Sequence, residues 1–262
     1  MSVGIHISGQ TIRTCRLDTN EAVVSSARHS LPRPLSPDDW THPDKRLTAV
    51  LSDYIEETDE ASLALPGGLY HLRRVPMEVA MDVDRRRQVE WEVSQTLASA
   101  IGDHRVDYTV RGSYAIWVAV SAHLIERLTE SFERRGIRLS VCATPIAIVE
   151  TLRRQSPKQP ATLIVADAGW VTRLGIQNGD LVSAQERAPS VNESPLEDIS
   201  NWLQPNTAEA TYLAADPANL PVDADFVQAL YPPVDTDDHP ELDTLTSIAY
   251  GAALHWQNEA VL

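Results

Sequence analysis

The chain has 262 residues, and its 22 Lys and Arg against 37 Asp and Glu give a formal net charge of −15 at pH 7. A surface this negative repels phosphate backbones and anionic headgroups, which excludes nucleic acid and the membrane surface as electrostatic partners. With 43% hydrophobic and 23% charged residues the chain can bury the core of one large or two modest domains, which excludes overall disorder.

Val3 to Ile7 reads as a strand, Ser8-Gly9-Gln10 as a tight turn and Thr11 to Leu17 as a second strand; polar Asp18-Thr19-Asn20 leads to a third over Ala22 to Ser26. Ser30 to Pro43 carries Pro32, Pro34 and Pro37, which remove backbone donors, and is expected to be a surface connection rather than a long helix or central strand. Leu47, Val50, Leu51 and Tyr54 recur at helical spacing over Leu47 to Glu57, followed by a strand over Ala61 to Leu65 and a stop at Pro66-Gly67-Gly68. Over Asp84 to Ile101 the stripe Val89, Val93, Leu97 and Ile101 predicts another helix. The cluster Arg85 to Arg87 near its start opposes the helix dipole by about 0.3–1 kcal/mol, offset either by solvent with Asp82 and Asp84 or by a partner. Next come a strand over Ala115 to Val120, a helix with Leu124, Leu128 and Phe132 on one face that Gly136 ends, an alternating strand over Ile137 to Cys142, and a helix from Pro145 to Arg154.

Gln155 to Pro160 reads as a linker, with a domain boundary near Pro157. Beyond it Ala161 to Ala166, the turn Asp167-Ala168-Gly169, Val171 to Gln177, the hairpin turn Asn178-Gly179 and Leu181 to Ala184 repeat the opening meander. Thr11 and Thr172 follow their turns at equivalent places, so the chain reads as two related halves that each open on a glycine hairpin. The remainder offers a short helix around Leu196 to Leu203, a strand near Ala210 to Ala214, an acidic proline-rich loop and a helix from about Leu242 to Trp256, little material for a full second lobe.

No apolar run approaches the roughly 18 residues of a membrane span, and the start Met1-Ser2-Val3-Gly4-Ile5-His6 has no basic-then-apolar leader, so a cytoplasmic location is expected. Cys15 and Cys142, each flanked by strand-like apolar residues, are expected to be buried free thiols. The G-x-x-x-x-G-K-[ST], H-E-x-x-H and G-x-S-x-G signatures are absent, and His29, His42, His71 and His239 sit among loop residues that favour solvated imidazoles over metal ligation. No catalytic residue and no metal ligand is assigned. The one phosphate-like feature is the pair of facing glycine hairpins, whose backbone N–H groups can cradle phosphate while a turn aspartate holds hydrated magnesium.

The sequence resembles the actin-like type IV pilus assembly proteins called PilM. The resemblance runs in order through Gly4-Ile5-His6-Ile7-Ser8-Gly9, Leu63-Ala64-Leu65-Pro66-Gly67, Arg73-Arg74-Val75-Pro76, Val89-Glu90-Trp91-Glu92-Val93-Ser94-Gln95 and Asp107-Tyr108. It continues through Ala122 to Leu139 with Gly136, Val165-Ala166-Asp167-Ala168-Gly169, Thr172, Asn178-Gly179 and Ala249-Tyr250-Gly251-Ala252-Ala253-Leu254. It implies an α/β, actin-like (ribonuclease H-like) fold of duplicated lobes. The first lobe spans 1–156 with an inserted small α/β subdomain over about 68–138, and a reduced second lobe spans 157–262. It also implies a platform at the cytoplasmic face of the inner membrane, related to the cytoplasmic domains of type II secretion. There a groove beside the inserted subdomain receives the short cytoplasmic N-terminal peptide of a membrane-anchored PilN-like partner. The partner-binding candidates are Arg73, Arg74, Glu90, Trp91 and Glu92, although Trp91 is equally compatible with a core position and Glu92 with a cap or salt bridge.

The departures from the family bear on chemistry. His6 stands where the family has the first phosphate-motif aspartate, bulky Trp170 follows Gly169, and Leu213-Ala214-Ala215-Asp216-Pro217 has no glycine where the adenosine segment falls. Between Arg187 and Tyr212 there is room for roughly one helix rather than a subdomain. The nucleotide site, Ser8, Gly9, Gln10, Asp167, Gly169 and Thr172, is therefore expected to be vestigial, with no cofactor, in a non-catalytic scaffold. The alternative is an ATP- and magnesium-binding switch built on Asp167, Gly169 and Thr172; filament formation like that of the cell-division relative FtsA would need a basic amphipathic tail, which Leu254 to Leu262 does not supply. The sequence leaves open whether the chain forms a homodimer, and whether its acidity reflects high-salt adaptation or a basic partner.

Overall fold

The computed structural model describes residues 1–55, 60–77, 82–97, 101–111, 113–155, 160–167, 170–188, 210–215, 227–229 and 244–257. The opening meander forms as β1 (Ser2–Ser8), β2 (Thr11–Leu17) and β3 (Val23–Ser30), antiparallel throughout, with Gly9 at φ 56° supplying the left-handed residue of the first turn. β3 runs longer than its apolar start because its polar residues pair with β2 as the outer strand of the sheet. The proline-rich connection holds a short helix, α1 (Pro37–Thr41). Ser36 and Asp39 close a reciprocal capping box at its start, and Pro37 takes the first helical position.

Helix α2 (Leu47–Ser52) buries Leu47 and Leu51 and leads towards β4 (Glu60–Leu65), which pairs parallel to β1. Later, β8 (Arg138–Ala143) pairs parallel to β4, completing a five-stranded sheet ordered β3-β2-β1-β4-β8. The second half builds the same object from β9 (Ala161–Asp167), β10 (Trp170–Gln177), β11 (Asp180–Arg187), β12 (Ala210–Ala215) and β13 (Val227–Ala229), ordered β11-β10-β9-β12-β13. In both sheets the first three strands form an antiparallel meander, and the next two extend the first strand in parallel. The turn between β10 and β11 places Asn178 at φ 54° and Gly179 at φ 79°, a two-residue connection with both residues left-handed, as the Asn-Gly pair predicts. β1 and β9 are buried along nearly their whole length because both of their faces are covered.

Between β4 and β8 the chain adds β5 (Tyr70–Pro76), α3 (Asp82–Thr96), β6 (His104–Arg111) and β7 (Tyr114–Ser121), with the strands in antiparallel order β5-β7-β6. Val75, Met77, Val89, Val93, Leu97, Ala115, Trp117 and Ala119 form a small core of their own here. Helix α4 (Ala122–Glu133) then buries Leu124, Leu128 and Phe132 and packs on β8, and Gly136 at φ 75° turns the chain into that strand.

Helices α5 (Thr144–Gln155) and α6 (Thr246–Gln257) pack on one another, and α6, although it comes from the second half, lies on β1, β2 and β4 of the first sheet. Close approach explains two glycines: a Cβ at Gly4 would strike the Ala249 carbonyl, and one at Gly251 the Ala147 carbonyl. The Thr151 hydroxyl donates to the Ser247 carbonyl at the same crossing. A single apolar core runs through both sheets, from Val3 and Leu63 to Leu163, Leu174 and Ile248. Cys15 and Cys142 are buried free thiols, and burial pushes each up to about 12. The helix expected around Leu196 to Leu203 and the acidic proline-rich loop lie outside the described residues, and no helix among the described residues is long and apolar enough to cross a membrane.

Candidate functional site

The two halves of the chain approach where β1 and β9 end, and three contacts cross between them. On β1, His6 lies opposite Arg13 of β2; Asp167, the last residue of β9, lies opposite Trp170 of β10. His6 Nε2 and Asp167 Oδ2 are 2.9 Å apart, joining residues 161 positions apart in the chain, with side chains 0% and 4% exposed. Burial alone would raise the Asp167 carboxyl, but the charge and hydrogen bond of His6, the Ser8 hydroxyl and the fully buried Arg13 guanidinium outweigh it and hold the carboxyl below its ordinary range.

The second contact involves Pro66-Gly67-Gly68, the stop after β4. The Trp170 ring lies directly over both glycines: a Cβ at Gly68 would sit 3.1 Å from Trp170 Cζ2, and one at Gly67 would fall inside the indole envelope. The bulky residue after the second glycine motif therefore packs where bare backbone would have to approach a phosphate. Third, the Tyr70 hydroxyl of β5 hydrogen-bonds Glu186 of β11, and Thr172 Oγ1 of β10 lies 3.5 Å from Glu186 Oε1. Burial pushes the Glu186 carboxyl up against the lowering effect of these two hydroxyls, and pushes the Tyr70 phenol up with help from the Glu186 charge.

This donor set does not suit magnesium and a triphosphate. Magnesium takes hard oxygen ligands, and here an imidazole occupies the first aspartate position and one oxygen of Asp167 is bound to it. Among the described residues no three His, Cys, Asp or Glu side chains gather where they could hold a metal ion. Of the other residues assigned to this site, Ser8 stands beside Asp167, Thr172 is buried against Glu186, and Gly9 and Gln10 are exposed in the turn, where the Gln10 carbonyl accepts from Leu31 N at 2.6 Å. Gly169 lies outside the described residues.

The partner-binding candidates occupy the inserted β5-α3-β6-β7 unit. Arg73 and Arg74 are exposed on β5, and the Arg74 guanidinium stacks 4.3 Å from the centre of the Tyr114 ring. On α3, Glu90 accepts from Arg86 Nε at 2.9 Å and Glu92 is half-buried. Trp91 is 58% exposed, so it is not a core residue: the stripe Val89, Val93 and Leu97 faces the sheet, and Trp91 stands off that stripe. A cavity of about 380 Å³ opens between β5 and β11, lined by His71, Leu72, Arg73, Arg74, Ala184 and Glu186. Sequence reasoning reached the two arginines but not Ala184 or Glu186, because only the tertiary approach of β11 to β5 makes them part of one wall.

No family model matches the sequence, and no curated protein matches it. Solved structures do. A chain of a PilM–PilN type IV pilus biogenesis complex superposes with a TM-score of 0.68 at 14% identity, covering 97% of this chain and 98% of that one. The cytoplasmic domain of EpsL, an inner-membrane component of the type II secretion system of Vibrio cholerae, gives 0.58 at 10% identity over 96% and 94%. A Bacteroides thetaiotaomicron protein of unknown function with an actin-like ATPase fold gives 0.51 at 12% identity over 94% and 95%. The fold is therefore actin-like, and the duplicated sheets are its two lobes.

Proposed function

We propose that this chain is a non-catalytic actin-like scaffold in a type IV pilus or type II secretion-like assembly, working at the cytoplasmic face of the inner membrane and binding the cytoplasmic N-terminal tail of a membrane-anchored, PilN-like partner. The observation that carries this reading is the self-filled cleft. Where an actin-like nucleotidase holds its lobes together through nucleotide and metal, His6 with Asp167, Trp170 on Gly67 and Gly68, and Tyr70 with Glu186 make the connection here. Side chains that cross between the halves at these points favour a fixed platform over a nucleotide-driven reaction. The shape shared with a chain from a PilM–PilN complex supports the choice of partner class.

The exposed indole of Trp91, flanked by Glu90 and Glu92, is the kind of rigid apolar anchor that concentrates binding energy. The test titrates the chain with synthetic N-terminal cytoplasmic peptides of single-span, PilN-like membrane proteins from the same genome. Saturable binding is expected, and Trp91→Ala should weaken it by about 2 kcal/mol, roughly thirtyfold. Because Trp91 is off the core stripe, the same substitution should change stability by no more than about 0.5 kcal/mol. A tail that fails to bind, or that binds the Trp91→Ala chain equally well, overturns the assignment.

A further inference from the structure

We propose, independently of the scaffold reading, that the outer edge of β6 pairs with the same edge of a second copy of this chain, joining the two inserted sheets into one around a two-fold axis at Val106. β6 ends the sheet β5-β7-β6, so among the described residues no strand lies on its outer side. The backbone phase of that edge follows from β7. Ser113 O, just before β7, accepts from Met77 N at 2.8 Å, so odd-numbered positions along β7 bond towards β5 and even-numbered ones towards β6. Val120, Val118 and Ile116 face Arg105, Asp107 and Thr109, which leaves the N–H and C=O groups of His104, Val106 and Tyr108 pointing away from the sheet. The Tyr108 N–H accordingly donates to Asp107 Oδ1 at 2.8 Å rather than to β7.

Two identical antiparallel strands must meet about a two-fold axis, and the side chains of β6 select where it falls. With the axis at Val106, His104 of each copy lies opposite Tyr108 of the other, and their outward main-chain groups exchange hydrogen bonds. On the other face Arg105 of each copy lies against Asp107 of the other, which gives two cross-strand pairs of opposite charge in one short ladder. An axis at Asp107 would set two carboxylates against each other, and one at Tyr108 would leave Asp107 facing Thr109 without a cation. Both charged side chains are available for this exchange. Among the described residues Arg105 pairs with Glu126 at 3.4 Å, but both partners are exposed and such a pair is loosely held. Asp107 has no cation beside it among the described residues; partial burial raises its carboxyl, opposed by the Tyr108 N–H alone, and a guanidinium from a second copy supplies the missing counter-charge. The net charge of −15 sets two copies against each other at long range, but at physiological salt that repulsion is screened beyond about 8 Å, whereas the paired groups are in contact. A ladder this short covers less surface than a stable dimer needs, so the pairing is weak and suits copies held side by side.

Sedimentation velocity on the full chain at physiological salt, from a few micromolar to several hundred, tests the pairing. The native chain should shift towards dimer as its concentration rises. Arg105→Asp and Asp107→Arg each set like charges opposite one another and should weaken association about tenfold or more, while an equimolar mixture of the two variants should restore it, because each then meets its opposite across the axis. Neither position belongs to the core, so both variants should melt close to the native chain. Amide-resolved hydrogen exchange at high concentration should slow at Val106 and Tyr108 and stay unchanged at Arg105 and Asp107, whose amides already bond to β7. A chain that stays monomeric, variants that associate like the native chain, a mixture no stronger than its components, or slowing at another strand edge would each overturn the pairing. So would stronger association of Asp107→Ala than of the native chain, since Asp107 would then guard the edge rather than join it. Scaffold function stands or falls separately, on the membrane-partner tail and Trp91.

Discussion

Replacing His6 with alanine removes the hydrogen-bond and charge partner of a carboxylate that is 4% exposed. Deleting one member of a buried pair costs about 3–5 kcal/mol, because the remaining charge is left uncompensated. The buried Arg13 guanidinium still lowers Asp167, which puts the expected loss near the lower end, about 3 kcal/mol. For a chain of this size each kcal/mol moves the melting point by about 2–4 °C, so His6→Ala should melt about 6–12 °C lower at pH 7. The pH dependence is the sharper test. In the native chain the Asp167 carboxyl is held below its unfolded value of about 3.9, so its stabilising contribution is complete above that pH and is lost as pH falls through the folded value. Without His6 the largest opposing influence is gone and burial pulls the carboxyl the other way, so the variant's carboxyl is stable protonated and destabilising when charged. The stability gap between the two chains should therefore shrink as pH falls from 7 towards 4.5. Thermal unfolding followed by circular dichroism at constant ionic strength measures both quantities. A melting point within 2 °C of the native chain at pH 7, on the order of half a kcal/mol to one, would refute the reasoning, and so would a gap that widens on acidification.

Millimolar MgATP should leave the melting point unchanged, whereas a site with nucleotide at 100 times its dissociation constant would gain about 2.7 kcal/mol; a magnesium-dependent rise would restore the switch reading built on Asp167, Gly169 and Thr172. Gly67→Ala should destabilise by about 1–3 kcal/mol, because its Cβ enters the Trp170 ring, and a double-mutant cycle with Trp170→Ala should show coupling of about 1 kcal/mol or more; additive losses would mean the ring does not sit there. Cys15 and Cys142, with thiols pushed up to about 12 by burial, should resist iodoacetamide at pH 8 in the folded chain and label fully in urea, as read by intact mass; labelling of either in the native state within minutes would contradict their placement.

Local signals carried most of the fold. The hairpin turns at Gly9 and at Asn178-Gly179 showed in the sequence because a left-handed turn residue leaves a compositional mark, and the repeated meander to which they belong is the duplicated order of the two sheets. β6 escaped although Val106, Tyr108 and Val110 alternate with Arg105, Asp107, Thr109 and Arg111, because so short and charged a stretch stands out little and its apolar residues only lean on the small core beneath α3. The cleft was legible in one sense and hidden in another. His6 in place of aspartate and Trp170 after glycine could be read as losses, because each residue type is wrong for magnesium or phosphate on its own. What they gain could not be read, since the His6–Asp167 bond spans 161 residues and the fit of Trp170 on Gly67 and Gly68 exists only when β10 is brought against the end of β4. The same two residues, His6 and Trp170, are among those that join the two halves. The imidazole at position 6 meets one oxygen of the carboxylate that the second motif retains, while Asp167 Oδ1 and His6 Nδ1 stay buried without a hydrogen-bond partner among the described residues, so one hydrogen bond and the nearby charges carry the whole contact between the two halves at this point.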